Sequence, residues 1–207
     1  MSENYDRLKT ASKLKNWLAC NYTTINEINK KKLKKKESSI TEEIRKKRGD
    51  EFEEKIYKKL IKQHPKHIKI KKDDDRFEKT KEALKKGYDL IHKAHFKHKG
   101  WVGEIDFLIK DQNKKTKNGK WKYEVYDTKL SSIVKTDHIT QISLYSEWIA
   151  TQQDNELPDF TYLILGHKDK ERKNSKIKID EEIKQYKTQN YQLYFENNKK
   201  NYIKFLD

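Results

Sequence analysis

The 207-residue chain has one cysteine, two prolines and six glycines. A single cysteine, Cys20, excludes an internal disulfide and the four-cysteine ligation of an iron–sulfur cluster. Free cysteine packs as a small hydrophobe, so Cys20 is expected to be buried. A chain with no disulfide framework fits a reducing cytoplasm. No apolar run approaches the roughly 20 residues that a membrane span needs. The first six residues lack the apolar region of a signal peptide. Neither GxGxxG nor a P-loop occurs, which removes the usual basis for nucleotide binding. There is no internal repeat.

Charge, by contrast, is abundant. Charged residues make up 40% of the chain, hydrophobic ones 33%, and the formal net charge is +16. Such a surface favours polyanions, nucleic acid before anionic membrane. Residues 30–36 carry six lysines around Leu33, either as a solvated face or as a phosphate-facing patch. The length suffices for one domain with a real core.

Periodicity outlines the elements. Leu14, Trp17, Leu18 and Ile25 predict a helix over residues 10–29, capped by Thr10 or Ser12. A second helix is expected over 41–61, where Ser39 and Glu42 form a capping box and Phe52, Ile56 and Leu60 an apolar stripe. Glu53 lies beside that stripe, and a carboxylate pressed toward a core needs a partner. Residues 62–79 read as a polar connection; its three aspartates lack the spaced ligands of a calcium loop. A short helix starts at Thr80 and ends at Gly87. Residues 88–96 alternate as a strand with Leu90, His92, Ala94 and Phe96 on one face. His92, His95 and His98 are spaced three apart, which does not gather them on one strand face for zinc. Residues 137–152 read as a helix with Ile139, Ile142, Tyr145 and Ile149 inward, and residues 160–165 as a strand buried on both faces. Basic residues and aromatics beyond 167 suggest a C-terminal helix packed on the core, or a grip on single strands.

The chemistry concentrates in residues 100–145. Two apolar segments, Trp101 to Ile109 and Lys122 to Leu130, flank a turn-rich stretch that ends in Asn118-Gly119, a strong hairpin signal. Residues two apart share a strand face, so Asp127 and Lys129 project together. Pairing of the strands brings Asp106 beside Asp127. Two neighbouring carboxylates repel, and a hard divalent cation such as Mg²⁺ or Mn²⁺ resolves the repulsion. A lysine beside that cation can stabilise phosphate charge or orient water. Gln141 and Tyr145 are four apart and face the same side of the following helix.

The order Asp106, then Asp127-Thr128-Lys129 on adjacent strands, then Gln141 and Tyr145 on a helix, resembles the PD-(D/E)XK nucleases of the RecB type. The wording is closest to predicted RecB-family nucleases often joined to an RNase H-like domain. It extends over roughly residues 10–170, including Arg48-Gly49-Asp50-Glu51-Phe52-Glu53 and Leu163-Ile164-Leu165-Gly166. The resemblance implies an α/β fold with a restriction-endonuclease-like core, a mixed central sheet flanked by helices. It implies a nuclease domain over 1–170 with a basic, aromatic-containing extension over 171–207 packed on or beside it. It implies Mg²⁺- or Mn²⁺-dependent hydrolysis of phosphodiester bonds, in DNA more than RNA, in repair, recombination or defence. Glu53, Asp106, Asp127 and the Thr128 carbonyl would hold the metal, Lys129 would serve the transition state, and Gln141 and Tyr145 would contact the strand. A helicase or an RNase H-like domain is the implied protein partner, with no membrane. Phe52 stands where the family has a histidine, which argues against a tightly held second ion. The alternative is a nucleic-acid-binding module without catalysis, or a docking domain of a larger repair complex.

Overall fold

A computed structural model describes residues 9–29, 38–168 and 179–206. In chain order the elements are α1 (Ala11–Ala19), α2 (Asn21–Ile28), α3 (Ile40–Leu60), β1 (His67–Lys69), α4 (Arg76–Lys85), β2 (Leu90–His98), β3 (Trp101–Lys115), β4 (Trp121–Lys129), α5 (Thr136–Gln152), β5 (Phe160–Lys168), β6 (Ile179–Lys187) and α6 (Gln189–Leu206). The lysine run at residues 30–36, with Lys34, Lys35 and Lys36, lies outside the described residues. Among those described, no helix is long and apolar enough to cross a membrane.

The six strands form one mixed sheet in sequential order. β1 runs parallel to β2, and β4 runs parallel to β5, while β2–β3, β3–β4 and β5–β6 are antiparallel. Both parallel joins carry a helix, α4 and α5, as a parallel crossover requires. One face of the sheet packs on α3 through Phe52, Ile56, Leu90, Phe107, Ile109 and Ile164. The opposite face carries the larger core, with Leu14 of α1, Leu84 of α4, Ile142 and Trp148 of α5, and Phe195 and Tyr202 of α6. β5 serves both: Leu163 and Leu165 face the larger core, and Ile164 faces α3.

Local signals explain most boundaries. The α3 capping box forms reciprocally, Glu42 N–H donating to Ser39 Oγ and Ser39 N–H to Glu42 Oε2. Thr10 caps α1 by accepting from the Lys13 N–H. Gly87 follows α4 with φ 64°. Gly119 turns the β3–β4 hairpin with φ 79° and donates its N–H to the Thr116 carbonyl.

Five expectations are corrected. The helix over 10–29 divides at Cys20, whose backbone is extended at φ −165°, and Cys20 is exposed rather than buried. The connection 62–79 contains β1, and α4 starts at Arg76, not Thr80. β3 continues through Asp111–Lys115, where Gln112 donates to Asp89 and Lys114 pairs with Asp159. Residues 179–187 form a sixth strand along the whole of β5, so the chain beyond 171 contributes to the sheet as well as to a helix. Finally, Leu90, His92, Ala94 and Phe96 do not share a face. Leu90 packs under α3, whereas Ala94 and Phe96 enter the opposite core.

That last reversal has a visible cause. Lys93, between His92 and Ala94, has φ 61°. A left-handed conformation at a non-glycine residue costs of order 1 kcal/mol or more. The β2–β3 register runs on either side of it, His92 opposite Phe107 and Ala94 opposite Ile105, but skips Lys93 and Asp106. β3 switches faces at the same place, with Phe107 under α3 and Ile105 in the larger core. Both strands therefore turn over together at Lys93 and Asp106.

Gly103 lies opposite Phe96 across the β2–β3 pair. A Cβ added there would stand 2.5 Å from Phe96 Cε1. The Phe96 ring is fully buried between Trp148 and Tyr145 and has nowhere to retreat. Gly103→Ala is expected to cost about 1–3 kcal/mol, read as a melting temperature lowered by roughly 2–4 °C per kcal/mol. An unchanged melt would contradict this packing.

Candidate functional site

Asp127 is the centre of the site. It sits near the end of β4, 1% exposed, between β5 and the start of α5. The β3–β4 register pairs Phe107 with Tyr126, so the next position sets Asp106 opposite Asp127, as the hairpin reading requires. Asp106 Oδ2 accepts from the Thr128 N–H at 2.8 Å and the Thr128 hydroxyl at 2.7 Å. Lys129, on the same side of β4 as Asp127, makes an ion pair with Asp127 Oδ2. Apart from that ammonium, Oδ2 meets no hydrogen-bond donor among the described residues. Gln141 of α5 donates to Asp127 Oδ1 at 3.2 Å and to the Tyr145 hydroxyl at 2.8 Å.

α3 closes the site from above the sheet. Glu53 is 7% exposed, on the turn after Gly49. Its Oε1 lies 2.6 Å from His92 Nε2, and its Oε2 accepts from Lys93 Nζ at 2.6 Å. The Lys93 ammonium also stands 3.2 Å from Glu104 Oε1 and 3.9 Å from Asp106 Oδ1. His92 is fully buried and held between the Tyr57 and Phe107 rings. Phe52 is core, packed with Leu90 and Phe107, and offers no ligand.

An open cavity of about 200 Å³ lies at Asp127. Its walls include Glu53, Asp106, Asp127, Thr128, Lys129 and Gln141, six of the seven expected residues, drawn from one helix, two strands and a second helix. Tyr145 does not reach it. The ring is 3% exposed, lies against Phe96, and touches the cavity only through Gln141. It positions that amide.

No protein-family model and no curated protein matches this chain. The chemistry is therefore read from the residues themselves.

Burial is the largest influence on Asp127 and pushes its carboxyl up to about 7; Asp106 adds to the rise and Lys129 opposes it. Burial pulls the Lys129 ammonium down, but Asp127 and Asp106 outweigh it and the net direction is up. Burial raises Glu53, yet the bonds from His92 and Lys93 outweigh that, and it stays an anion below its ordinary value. Lys93 goes up, because Asp106, Glu53 and Glu104 outweigh its desolvation.

The donor set is hard oxygen, the kind that suits Mg²⁺ or Mn²⁺. Asp127 Oδ2, met here by the Lys129 ammonium and lying beside Asp106 in a polar cavity, could take such an ion in place of that ammonium. The carboxylates do not form a ready cage: among the described residues no three His, Cys, Asp or Glu side chains converge to hold a metal. The reason is that lysines and a histidine already occupy their oxygens. Asp106 and Asp127, with Thr128, are the residues that could hold an ion; Glu53 is engaged by its own partners.

Sequence reasoning did not weigh Lys93 or Glu104, and took His92 for a single exposed or packed histidine rather than a zinc ligand. The available signal was His92-Lys93, a polar pair inside an apolar strand, with Glu104 two residues before Asp106. Neither signal predicts the backbone reversal that brings Lys93 to Glu53.

The raised Asp127 value has a testable consequence. Between about 4, an ordinary aspartate, and about 7, the folded chain keeps a proton that the unfolded chain has released. Stability from this position is present at low pH and falls as pH rises through that window. At about 1.4 kcal/mol per pKa unit the loss is at most about 4 kcal/mol. In metal-free buffer, wild type should lose stability relative to Asp127→Asn between pH 4.5 and 8 in urea unfolding. Parallel pH profiles would show that Asp127 is not desolvated.

Proposed function

We propose that this chain is a metal-dependent nuclease of the RecB-like PD-(D/E)XK type, hydrolysing phosphodiester bonds in DNA. One observation carries the reading: six residues expected from 53 to 141 line a single cavity. The mixed sheet, with Asp106 and Asp127 on an antiparallel hairpin and Gln141 on the crossover helix, agrees with a restriction-endonuclease-like core. The +16 charge supplies affinity for a polyanion,. A single cysteine fits work in a reducing cytoplasm. Repair, recombination or defence, beside a helicase or an RNase H-like domain, is the setting the resemblance implies.

Bound Mg²⁺ or Mn²⁺ lowers the pKa of water and polarises the phosphate. The protein's own residues prepare for this. Asp106 is aimed by two bonds from Thr128, which leaves Oδ1 toward the acidic side of the site. To hold the ion Asp127 would have to be without its proton, so affinity for the ion should rise with pH up to about 7,. Lys129, which pairs with Oδ2 here, would remain as a cation beside the cavity for the charge that builds on the phosphate,. Gln141, tied to Tyr145, holds Asp127 in position.

A second reading, a nucleic-acid-binding module without catalysis, draws on the missing ready cage of three acidic or histidine ligands among the described residues. One assay separates the two. End-labelled single- and double-stranded DNA and RNA are incubated with Mg²⁺, Mn²⁺ or EDTA. The nuclease reading expects metal-dependent cleavage of DNA. Binding without cleavage in any metal would leave the module, and cleavage of RNA alone would change the substrate class. Lys129→Met should lower single-turnover cleavage at saturating Mn²⁺ roughly 100- to 1000-fold while DNA affinity holds. A Lys129→Met protein that cuts at the wild-type rate would remove Lys129 from the chemistry.

A further inference from the structure

The cluster behind the cavity contains one cation among three acids from two elements. Glu53 comes from α3, and Glu104 and Asp106 come from β3. Their nearest oxygens stand 2.6, 3.2 and 3.9 Å from Lys93 Nζ. An ammonium presents three donors to such a ring of acceptors and neutralises part of its charge. Arg76 reaches only the outer side of Glu104, at 3.9 Å. Lys129 is committed to Asp127 at the other end of the site.

We propose that Lys93 is a built-in cation, which takes the place between Glu53, Glu104 and Asp106 that a second divalent ion would otherwise occupy. This rests on the metal-dependent reading of the site and deepens it: the chain works with a single exchangeable ion, held by Asp106 and Asp127. Three observations support it. Lys93 adopts φ 61° in mid-strand, and β2 and β3 turn over together beside it. An ordinary strand backbone would send the lysine side chain away from the side that His92 faces; the reversal lets both consecutive residues reach Glu53. Next, Phe52, which lines the cavity one residue before Glu53, is apolar and buried and adds no donor for a second ion. Last, four carboxylates, Glu53, Glu104, Asp106 and Asp127, face two ammoniums, Lys93 and Lys129, with Arg76 3.9 Å from Glu104, so at most two negative charges remain. The remaining negative charge suits one divalent ion and not two.

Lys93 is a positioning residue in this account. It holds Glu53 and Asp106 apart from a second metal and touches no substrate. Its removal should therefore change how many ions bind, an outcome that a purely structural lysine would not produce. The test is Mn²⁺ titration of the full chain by calorimetry, with free Mn²⁺ counted by electron paramagnetic resonance. Wild type and Lys93→Arg, which keeps the charge, should bind one ion per chain. Lys93→Met should bind two. Lys93→Gly, which accepts the positive φ without strain, should also bind two and covers the case in which the methionine variant does not fold. Two ions on wild type, or one ion on folded Lys93→Met or Lys93→Gly, would overturn the proposal. No Mn²⁺ on any of the four proteins is a different signature: it would overturn the metal-dependent reading itself, and this proposal with it.

Discussion

A carboxylate taken out of water must find positive charge or take up a proton. Three acids, Glu53, Asp106 and Asp127, crowd the centre of this molecule, and the solution at each one organises the elements around it. Asp127 is answered by Lys129 two residues along the same strand and still holds its proton up to about 7. Glu53 is answered by His92 and Lys93 from the sheet below it. Asp106 is answered by Thr128 across the hairpin, with Lys93 near its other oxygen. These pairings bind α3 to β2, and β3 to β4, at one point. Apolar residues flank the point: Phe52, Phe107 and Ile164 on one side, Ile142 and Leu163 on the other.

The same pairings explain the one irregular feature of the central sheet. β2 and β3 exchange faces at Lys93 and Asp106, at the cost of a left-handed backbone in a lysine. Strain of this kind persists only where the surrounding structure over-determines it. Here the register is fixed on both sides, and three carboxylates hold the lysine head. The consequence is that Lys93, Glu104 and Asp106 stand on the α3 side, where ordinary alternation would have separated some of them from Glu53.

Much of this was legible in the chain. The Ser39–Glu42 capping box, the Asn118-Gly119 turn and the apolar run at 160–165 are local signals with local causes, and each formed where it was expected. Asp106 and Asp127 meet because a hairpin register follows from its turn and its apolar pattern. Other features depend on partners distant in sequence. β1 has three residues, too few for any period. β6 is an edge strand rich in Asp, Glu and Lys, and only its pairing with β5 makes it a strand. The burial of Tyr145 depends on Phe96, and the bond from Glu53 to His92 joins residues 39 apart. No window along the chain contains both ends of those contacts. The reversal at Lys93 was hidden for a further reason, since a run such as Leu90 to Phe96 reads as a regular strand whichever way its middle residue turns.

The central claim is that the cavity between Asp106 and Asp127 is a cation site that Lys129 guards when no metal is bound. The most direct measurement is a crystal structure after a Mn²⁺ soak, with anomalous scattering recorded at the manganese edge. The account predicts one peak, in the cavity and in contact with both aspartates, with the Lys129 ammonium moved off Asp127 Oδ2 and Lys93 still between Glu53 and Glu104. A Mn²⁺-saturated crystal with no peak there, or with Lys129 still paired to Asp127, would contradict it.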